Sequence, residues 1–119
     1  MFHWRADILP GVSAAFTDDA AGNLALHVGG DPVQVQRRRA GLEAAMGVPP
    51  SSLQFMNQVH GADVAVLDAG GAAPTADAIV SRSVPLAVMV ADCIPVLLAG
   101  ESVDGPVIAA VHAGRPGVE

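Results

Sequence analysis

The sequence is poor in cysteine, in aromatic residues and in basic residues. Cys93 is the one cysteine among 119 residues, so no disulfide can form within the chain, which indicates a reducing compartment. Six basic residues against twelve acidic ones give a net charge of -6, whereas proteins that bind nucleic acid normally carry a basic surface. With 3% aromatic residues and no tyrosine, the chain also lacks platforms for stacked bases. We therefore expect no nucleic-acid partner.

Long hydrophobic runs are missing as well. The longest, residues 85–100, contains Asp92 and two prolines and falls short of the roughly 20 apolar residues that a membrane helix needs. The first seven residues lack the basic start and the apolar stretch of a signal peptide. We expect a cytoplasmic protein with no membrane partner.

The chain does have enough apolar residues for a core, because 51% are hydrophobic and only 15% are charged. One helix is predicted with clear ends, over residues 32–46. Asp31 suits the N-cap, Pro32 suits the first helical position, and Gly47 ends the helix.

Short apolar runs predict β-strands on both sides of this helix. They cover residues 24–28, 53–56, 64–67, 79–80, 86–90, 96–98 and 107–111. The last three runs are almost continuously apolar, which is typical of strands covered on both faces. The predicted fold class is α/β (α+β), a layered mixed β-sheet with flanking helices. One helix cannot cover both faces of such a sheet, so we interpret residues 1–119 as a single, apparently truncated domain.

Three residues follow or precede apolar strands beside small residues: His60, Cys93 and His112. Their separations of 33 and 19 residues exclude a zinc-finger knuckle, so any shared site must be assembled by the tertiary structure. Two imidazoles and a thiolate suit Zn²⁺, and three protein ligands leave a fourth position open for water or substrate. The trio is therefore a candidate catalytic metal site.

Other interpretations of the same residues stay open. Cys93 could be a small buried hydrophobe and the histidines hydrogen-bonded strand ends, or Cys93 could be a nucleophile with His112 as its base. The arginines at positions 37–39 are typical of a solvated helix face, although one of them could bind phosphate or carboxylate. Asp63, Asp77 and Asp92 are expected in caps and turns, with proton transfer as the lesser alternative.

Six segments carry a resemblance to a known family: GVS at 11–13, HVGGDP at 27–32, NQVHG at 57–61, ADAIV at 76–80, ADCIPVLLA at 91–99 and AAVHAG at 109–114. In this order they resemble the signatures of the laccase-domain family, also called multicopper polyphenol oxidase-like or peptidoglycan editing factor. The resemblance implies that the chain corresponds to about the N-terminal half of a family member.

By this resemblance, His60, Cys93 and His112 are the metal ligands and take part in catalysis. Arg39 matches a family arginine, which makes it a candidate catalytic and substrate-binding residue for an anion. Two positions depart from the family pattern. Arg38 stands where family members carry Asn, and Arg115-Pro116 stands where many carry Trp-Arg.

The implied activity is that of a zinc-dependent purine nucleoside phosphorylase, which converts adenosine, inosine or guanosine and phosphate to base and ribose 1-phosphate. Adenosine deaminase and methylthioadenosine phosphorylase activities accompany it in the family. The alternatives are a copper-dependent polyphenol oxidase and an inactive metal-binding fragment. Four histidines are too few for a four-copper laccase, but a single copper with Met89 as axial ligand stays open. The expected partners are small molecules, namely purine nucleosides and phosphate.

Overall fold

The computed structural model describes residues 1–26, 31–91 and 93–114. The fold is mixed α+β, with two sheets and one α-helix in the described residues, which confirms the predicted class. The chain divides into two compact units, Met1–Ser51 and Ser52–Glu119. The assignment of residues 1–119 to one domain stays a prediction. None of the described helices is long and apolar enough to cross a membrane.

The first unit begins with an antiparallel hairpin that the sequence analysis missed. Strand β1 covers Phe2–Leu9 and β2 covers Val12–Thr17. Between them Gly11 has a φ of 79°, which is the conformation that a type II turn requires after Pro10. The strand predicted at 24–28 is wrong for its described part, since residues 24–26 have no strand structure. The rest of it, with the motif segment at 27–30, lies outside the described residues.

The single α-helix, α1, covers Pro32–Met46 and follows a short 3-10 helix at Asp19–Ala21. Its predicted ends are confirmed. The Asp31 carboxylate accepts a hydrogen bond from Val33 N at 2.9 Å, and Gly47 ends the helix with a left-handed φ of 72°.

The second unit contains a four-stranded mixed sheet. Its strands are β3 (Val64–Leu67), β4 (Ala78–Ser81), β5 (Ile94–Ser102) and β6 (Gly105–Ala113), in the order β3-β4-β6-β5. Strands β3 and β4 are parallel, whereas β6 is antiparallel to both β4 and β5. The starts of β3, β4 and β5 therefore lie at the same end of the sheet as the end of β6.

The two faces of this sheet differ in burial. Ile79, Ser81 and Ala110 are each at most 1% exposed and form the core face. On the other face the outer strands carry exposed aliphatic side chains, with Val66 72% and Leu98 56% exposed. The prediction that the 96–98 run is covered on both faces is thus wrong for Leu98.

Two predicted strands are present only as isolated contacts. In the runs 53–56 and 86–90 the strand pairing is a single parallel bridge between Gln54 and Leu86. Gln54 N donates to Pro85 O and Ala87 N donates to Gln54 O, both at 2.9 Å. The two apolar runs therefore lie side by side without forming a regular ladder.

Candidate metal centre

The three residues that the sequence predicts as ligands lie together in the second unit. Two imidazole nitrogens, of His60 and His112, and the Cys93 sulfur all lie within 4.8 Å of one another. Two ligands of one zinc ion, each about 2.0–2.3 Å from it, are at most roughly 4.6 Å apart. The 4.8 Å limit is slightly wider than this, so the three side chains would have to move closer together to share one ion. Among the described residues, no other group of three or more histidines, cysteines or acids has this spacing.

The sheet topology explains why residues so far apart in sequence meet. Cys93 directly precedes β5, and His112 is the second-last residue of β6. Because Ile94 pairs with Ala113 in the antiparallel ladder, the start of β5 lies beside the end of β6. His60 reaches the same end of the sheet from the loop before β3.

The His112 ring is buried and held by a carboxylate. Its side chain lies 2.8 Å from Asp77 through Nδ1 and Oδ1, and the residues are 4% and 2% exposed. A backbone hydrogen bond joins the same two residues, because His112 N donates to Asp77 O at 2.7 Å. With Nδ1 engaged by Asp77, Nε2 is the nitrogen of His112 that is left for a metal.

The same carboxylate holds the turn that carries His60. Three successive amides, those of Val59, His60 and Gly61, donate to the Asp77 oxygens at 2.9 to 3.2 Å. His60 has a φ of 59°, so the turn resembles the backbone nests that bind anions. Its ring meets that of His112 edge to face, with centroids 4.8 Å apart.

Asp77 is charged in this environment. Burial on its own raises the pKa of the Asp77 carboxyl, but hydrogen bonds from His112, Gly61, Val59 and His60 outweigh it and hold the pKa below its usual range. The group therefore accepts all these hydrogen bonds as a carboxylate. The expectation that Asp77 serves a turn is confirmed by the amides of Val59, His60 and Gly61, whereas its contact with His112 is the feature that sequence reasoning missed. A carboxylate directly before the buried strand β4 was the available signal.

Gly114 lies against all three candidate ligands. A Cβ atom at this position would be 3.4 Å from His60 Cδ2, 3.6 Å from Cys93 Sγ and 3.8 Å from His112 Cε1. Because glycine has no side chain, the space beside the cluster is kept clear.

Arg39 belongs to the first unit, on α1. Its Nε donates to Leu24 O at 2.8 Å, and the side chain is half-buried while its neighbours Arg37 and Arg38 are exposed. Burial lowers the pKa of the Arg39 guanidinium, and the charge of Glu43 opposes this effect. Of the three arginines at positions 37–39, Arg39 is therefore the one that does not lie on the solvated face of the helix. Asp92 and Arg115-Pro116 lie outside the described residues.

The donor set and its surroundings fit a metal of borderline softness. Two nitrogens and a sulfur suit zinc or copper, and a histidine ligand normally donates its second N–H to a carboxylate, as His112 is placed to do toward Asp77. The fold and the cluster thus define a class, that of α+β proteins with a candidate His₂Cys metal centre.

Comparison with known proteins gives the family. The family described as multi-copper polyphenol oxidoreductase laccase matches residues 3–119, and the chain belongs to it. A purine nucleoside phosphorylase of Streptomyces coelicolor is 45% identical over 96% of this chain and 52% of its own length. One of Corynebacterium glutamicum is 45% identical over 82% of this chain and 42% of its own length. The chain spans about half the length of the curated relatives it matches.

A solved structure supports the fold directly. The crystal structure of YlmD from Geobacillus stearothermophilus matches 80% of this chain and 39% of its own, with a TM-score of 0.70 and 31% identity. A Neisseria meningitidis protein of the DUF152 family matches 81% of this chain and 39% of its own, with a TM-score of 0.67 and 39% identity.

Proposed function

We propose that this chain carries the metal centre of a zinc-dependent purine nucleoside phosphorylase. The substrates would be adenosine, inosine or guanosine together with phosphate, and the products a purine base and ribose 1-phosphate. One observation carries the proposal: His60, Cys93 and His112 have their ligand atoms within 4.8 Å of one another. Relatives named purine nucleoside phosphorylase support the choice of substrate class.

The roles of the residues follow from their chemistry. His60, Cys93 and His112 would hold the ion and leave a fourth position for substrate or water. When bound, zinc would supply a Lewis acid for an anionic oxygen and lower the pKa of a water molecule. Arg39 would bind phosphate, because a guanidinium matches the geometry of phosphate oxygens. Loss of the base passes through an oxocarbenium-like state, which positioning and fixed charges would stabilise.

The same centre offers two further activities as part of this proposal. Methylthioadenosine phosphorolysis needs the same bond cleavage on a related nucleoside. Adenosine deamination needs an activated water directed at the purine carbon that bears the amino group. Both reactions depend on the metal, so we expect His60→Ala to abolish them together with phosphorolysis. An activity that persisted in this variant would contradict the shared centre.

Metal content is the first test. Elemental analysis of the purified chain is expected to give about one zinc per chain, and the Cys93→Ser variant is expected to lose it, because a hydroxyl is a much poorer zinc ligand than a thiolate. A Ser83→Ala variant serves as a control, since it changes a residue of the same unit outside the cluster. Equal zinc content in all three proteins, or none in any, would contradict the proposal.

Activity is the second test. Base release from inosine should require phosphate and yield ribose 1-phosphate, whereas simple hydrolysis would proceed without phosphate and yield ribose. Arg39→Ala should raise the KM for phosphate by about 10-fold or more, as expected for the loss of a charged hydrogen bond worth about 1.5–3 kcal/mol. Arg37→Ala, on the exposed side of the same helix, should leave it unchanged.

Copper-dependent phenol oxidation is the second candidate function. The description of the matched family favours it, and two histidines with a cysteine are also the equatorial ligands of blue-copper sites. About one copper per chain with phosphate-independent oxidation of a phenol would establish this alternative. Retained metal with neither activity would instead indicate an inactive metal-binding fragment.

A further inference from the structure

A single carboxylate links the two histidines of the candidate metal centre. Asp77 lies 2.8 Å from His112 Nδ1 and also accepts the amide of His60 at 3.0 Å. We propose that Asp77 is the positioning residue of this centre: it fixes the proton of His112 on Nδ1 and holds the His60 turn in its left-handed conformation. The inference rests on the proposed metal function and goes beyond the three ligands to the group that orients them.

The hydrogen bonds of Asp77 determine the tautomer of His112. Oδ1 accepts from the His60 and Val59 amides, and Oδ2 accepts from the Gly61 and Val59 amides. Both oxygens of Asp77 thus serve as acceptors, so Nδ1 of His112 donates in the 2.8 Å contact. Nε2 then has no proton and presents its lone pair, which is the form that binds a metal.

The same oxygens hold His60 in a conformation that a non-glycine residue rarely adopts. A left-handed residue costs about 1–2 kcal/mol, and the φ of His60 is 59°. Three amide hydrogen bonds to a buried charge offset this cost, since each is charge-assisted. Without these hydrogen bonds the turn could relax and move the His60 ring away from Cys93 and His112.

A purely structural anchor would behave differently. Such an anchor would stabilise the turn without affecting the proton of His112, whereas a positioning residue controls both. The tautomer of His112 in the metal-free chain therefore separates the two roles. This measurement needs no metal and no substrate.

The Asp77→Asn variant cannot keep both the hydrogen bond with His112 and all the hydrogen bonds from the 59–61 amides, because an NH₂ group replaces one carboxylate oxygen. If the new NH₂ group takes the position of Oδ1, His112 can keep its bond only with its proton on Nε2, where the proton blocks metal binding. If the NH₂ group takes the position of Oδ2, the Gly61 amide faces a donor and loses its partner. Asp63→Asn is the matched control, because it removes the same charge from an exposed residue of the same unit.

The experiment combines two measurements on the chain and its two variants. Long-range ¹H–¹⁵N spectra report which imidazole nitrogen carries the proton, with His112 assigned by its absence in a His112→Gln variant. Competition with a chromophoric chelator gives the zinc affinity, and circular dichroism checks the fold. We expect Nδ1–H in the native chain, an Nε2–H population in Asp77→Asn, and about 10–100-fold weaker zinc binding in that variant. Asp63→Asn should have the same His112 tautomer and the same zinc affinity as the native chain.

Each outcome has a defined meaning. An unchanged tautomer and unchanged zinc affinity in Asp77→Asn would overturn the proposal. If the native chain binds no zinc, the proposed function fails, while a tautomer that depends on Asp77 still supports the positioning role. If Asp77→Asn does not fold, the native spectrum decides: Nδ1–H supports the proposal and Nε2–H overturns it.

Discussion

The side-chain amide of Gln58 pairs with both backbone polar groups of Met89. Nε2 of Gln58 donates to Met89 O at 2.6 Å, and Oε1 accepts from Met89 N at 2.9 Å. The side chain thus replaces a strand neighbour for a segment that has no regular ladder. It joins the loop of His60 to the segment that precedes Cys93 in the sequence.

We predict that Gln58→Glu destabilises the second unit. A carboxylate can still accept from Met89 N, but it cannot donate to Met89 O and would place negative charge against that carbonyl. The expected loss is about 1–3 kcal/mol in the free energy of unfolding, measured with urea near pH 7. Gln34→Glu, an exposed change at the start of α1, should alter it by less than about 0.5 kcal/mol. Equal effects of the two changes would contradict the role of the Gln58 pair.

Gly114→Ala should interfere with metal binding while leaving the fold intact. The added methyl would be in van der Waals contact, at 3.4 to 3.8 Å, with atoms of all three candidate ligands and would restrict how closely they can approach one ion. We expect at least about 10-fold weaker zinc binding, equivalent to about 1.4 kcal/mol, by chelator competition. Gly100→Ala is the control, since its added Cβ meets no atom within 4 Å. Native zinc affinity in Gly114→Ala would show that this space is not part of the centre.

The strain at His60 can be separated from its proposed ligand role. Both His60→Gly and His60→Ala remove the imidazole, but only glycine adopts a φ of 59° without a steric cost. We expect the glycine variant to be more stable than the alanine variant by about 0.5–1 kcal/mol in urea unfolding. At His3, in strand β1, the order should reverse, because glycine weakens an ordinary strand. The same order at both positions would argue against strain at His60.

The core face of the four-stranded sheet should govern the stability of the second unit. Ile79 is 0% exposed, so Ile79→Ala leaves a cavity and should cost about 2–5 kcal/mol in the free energy of unfolding. Val66 is 72% exposed on the opposite face, and Val66→Ala should cost less than about 1 kcal/mol. Similar losses at the two positions would mean that both faces are covered in solution.

Local signals predicted the elements whose ends are determined by neighbouring residues. The cap at Asp31 and the left-handed stop at Gly47 bound α1 as expected. The strand at 64–67 matches β3, and the runs at 79–80, 96–98 and 107–111 fall inside β4, β5 and β6. In these cases the hydrophobic pattern and the turn residues around it indicate the same structure.

Other elements depended on contacts between distant residues. Strand β1 has no clear alternation of buried and exposed positions, and only Val12 and Ala14 of β2 are buried, so the Pro10-Gly11 turn was the clearest local sign of the hairpin. The run at 86–90 is apolar enough for a strand, but its partners are a bridge to Gln54 and the side chain of Gln58. A hydrophobic pattern cannot distinguish a strand in a regular ladder from a segment held by one bridge and a side chain.

The candidate site was likewise predictable in part from the sequence and in part only from the tertiary structure. The sequence by itself determined which residue types were available, because two histidines and a cysteine beside strands, in family-like motifs, point to a metal. Only the tertiary structure decided that they meet, since the antiparallel pairing of β5 and β6 sets Cys93 beside His112. It also decided the role of Asp77, whose carboxylate is shared by two loops distant in sequence. Ligand chemistry is a property of single residues, whereas orientation and burial depend on the whole sheet.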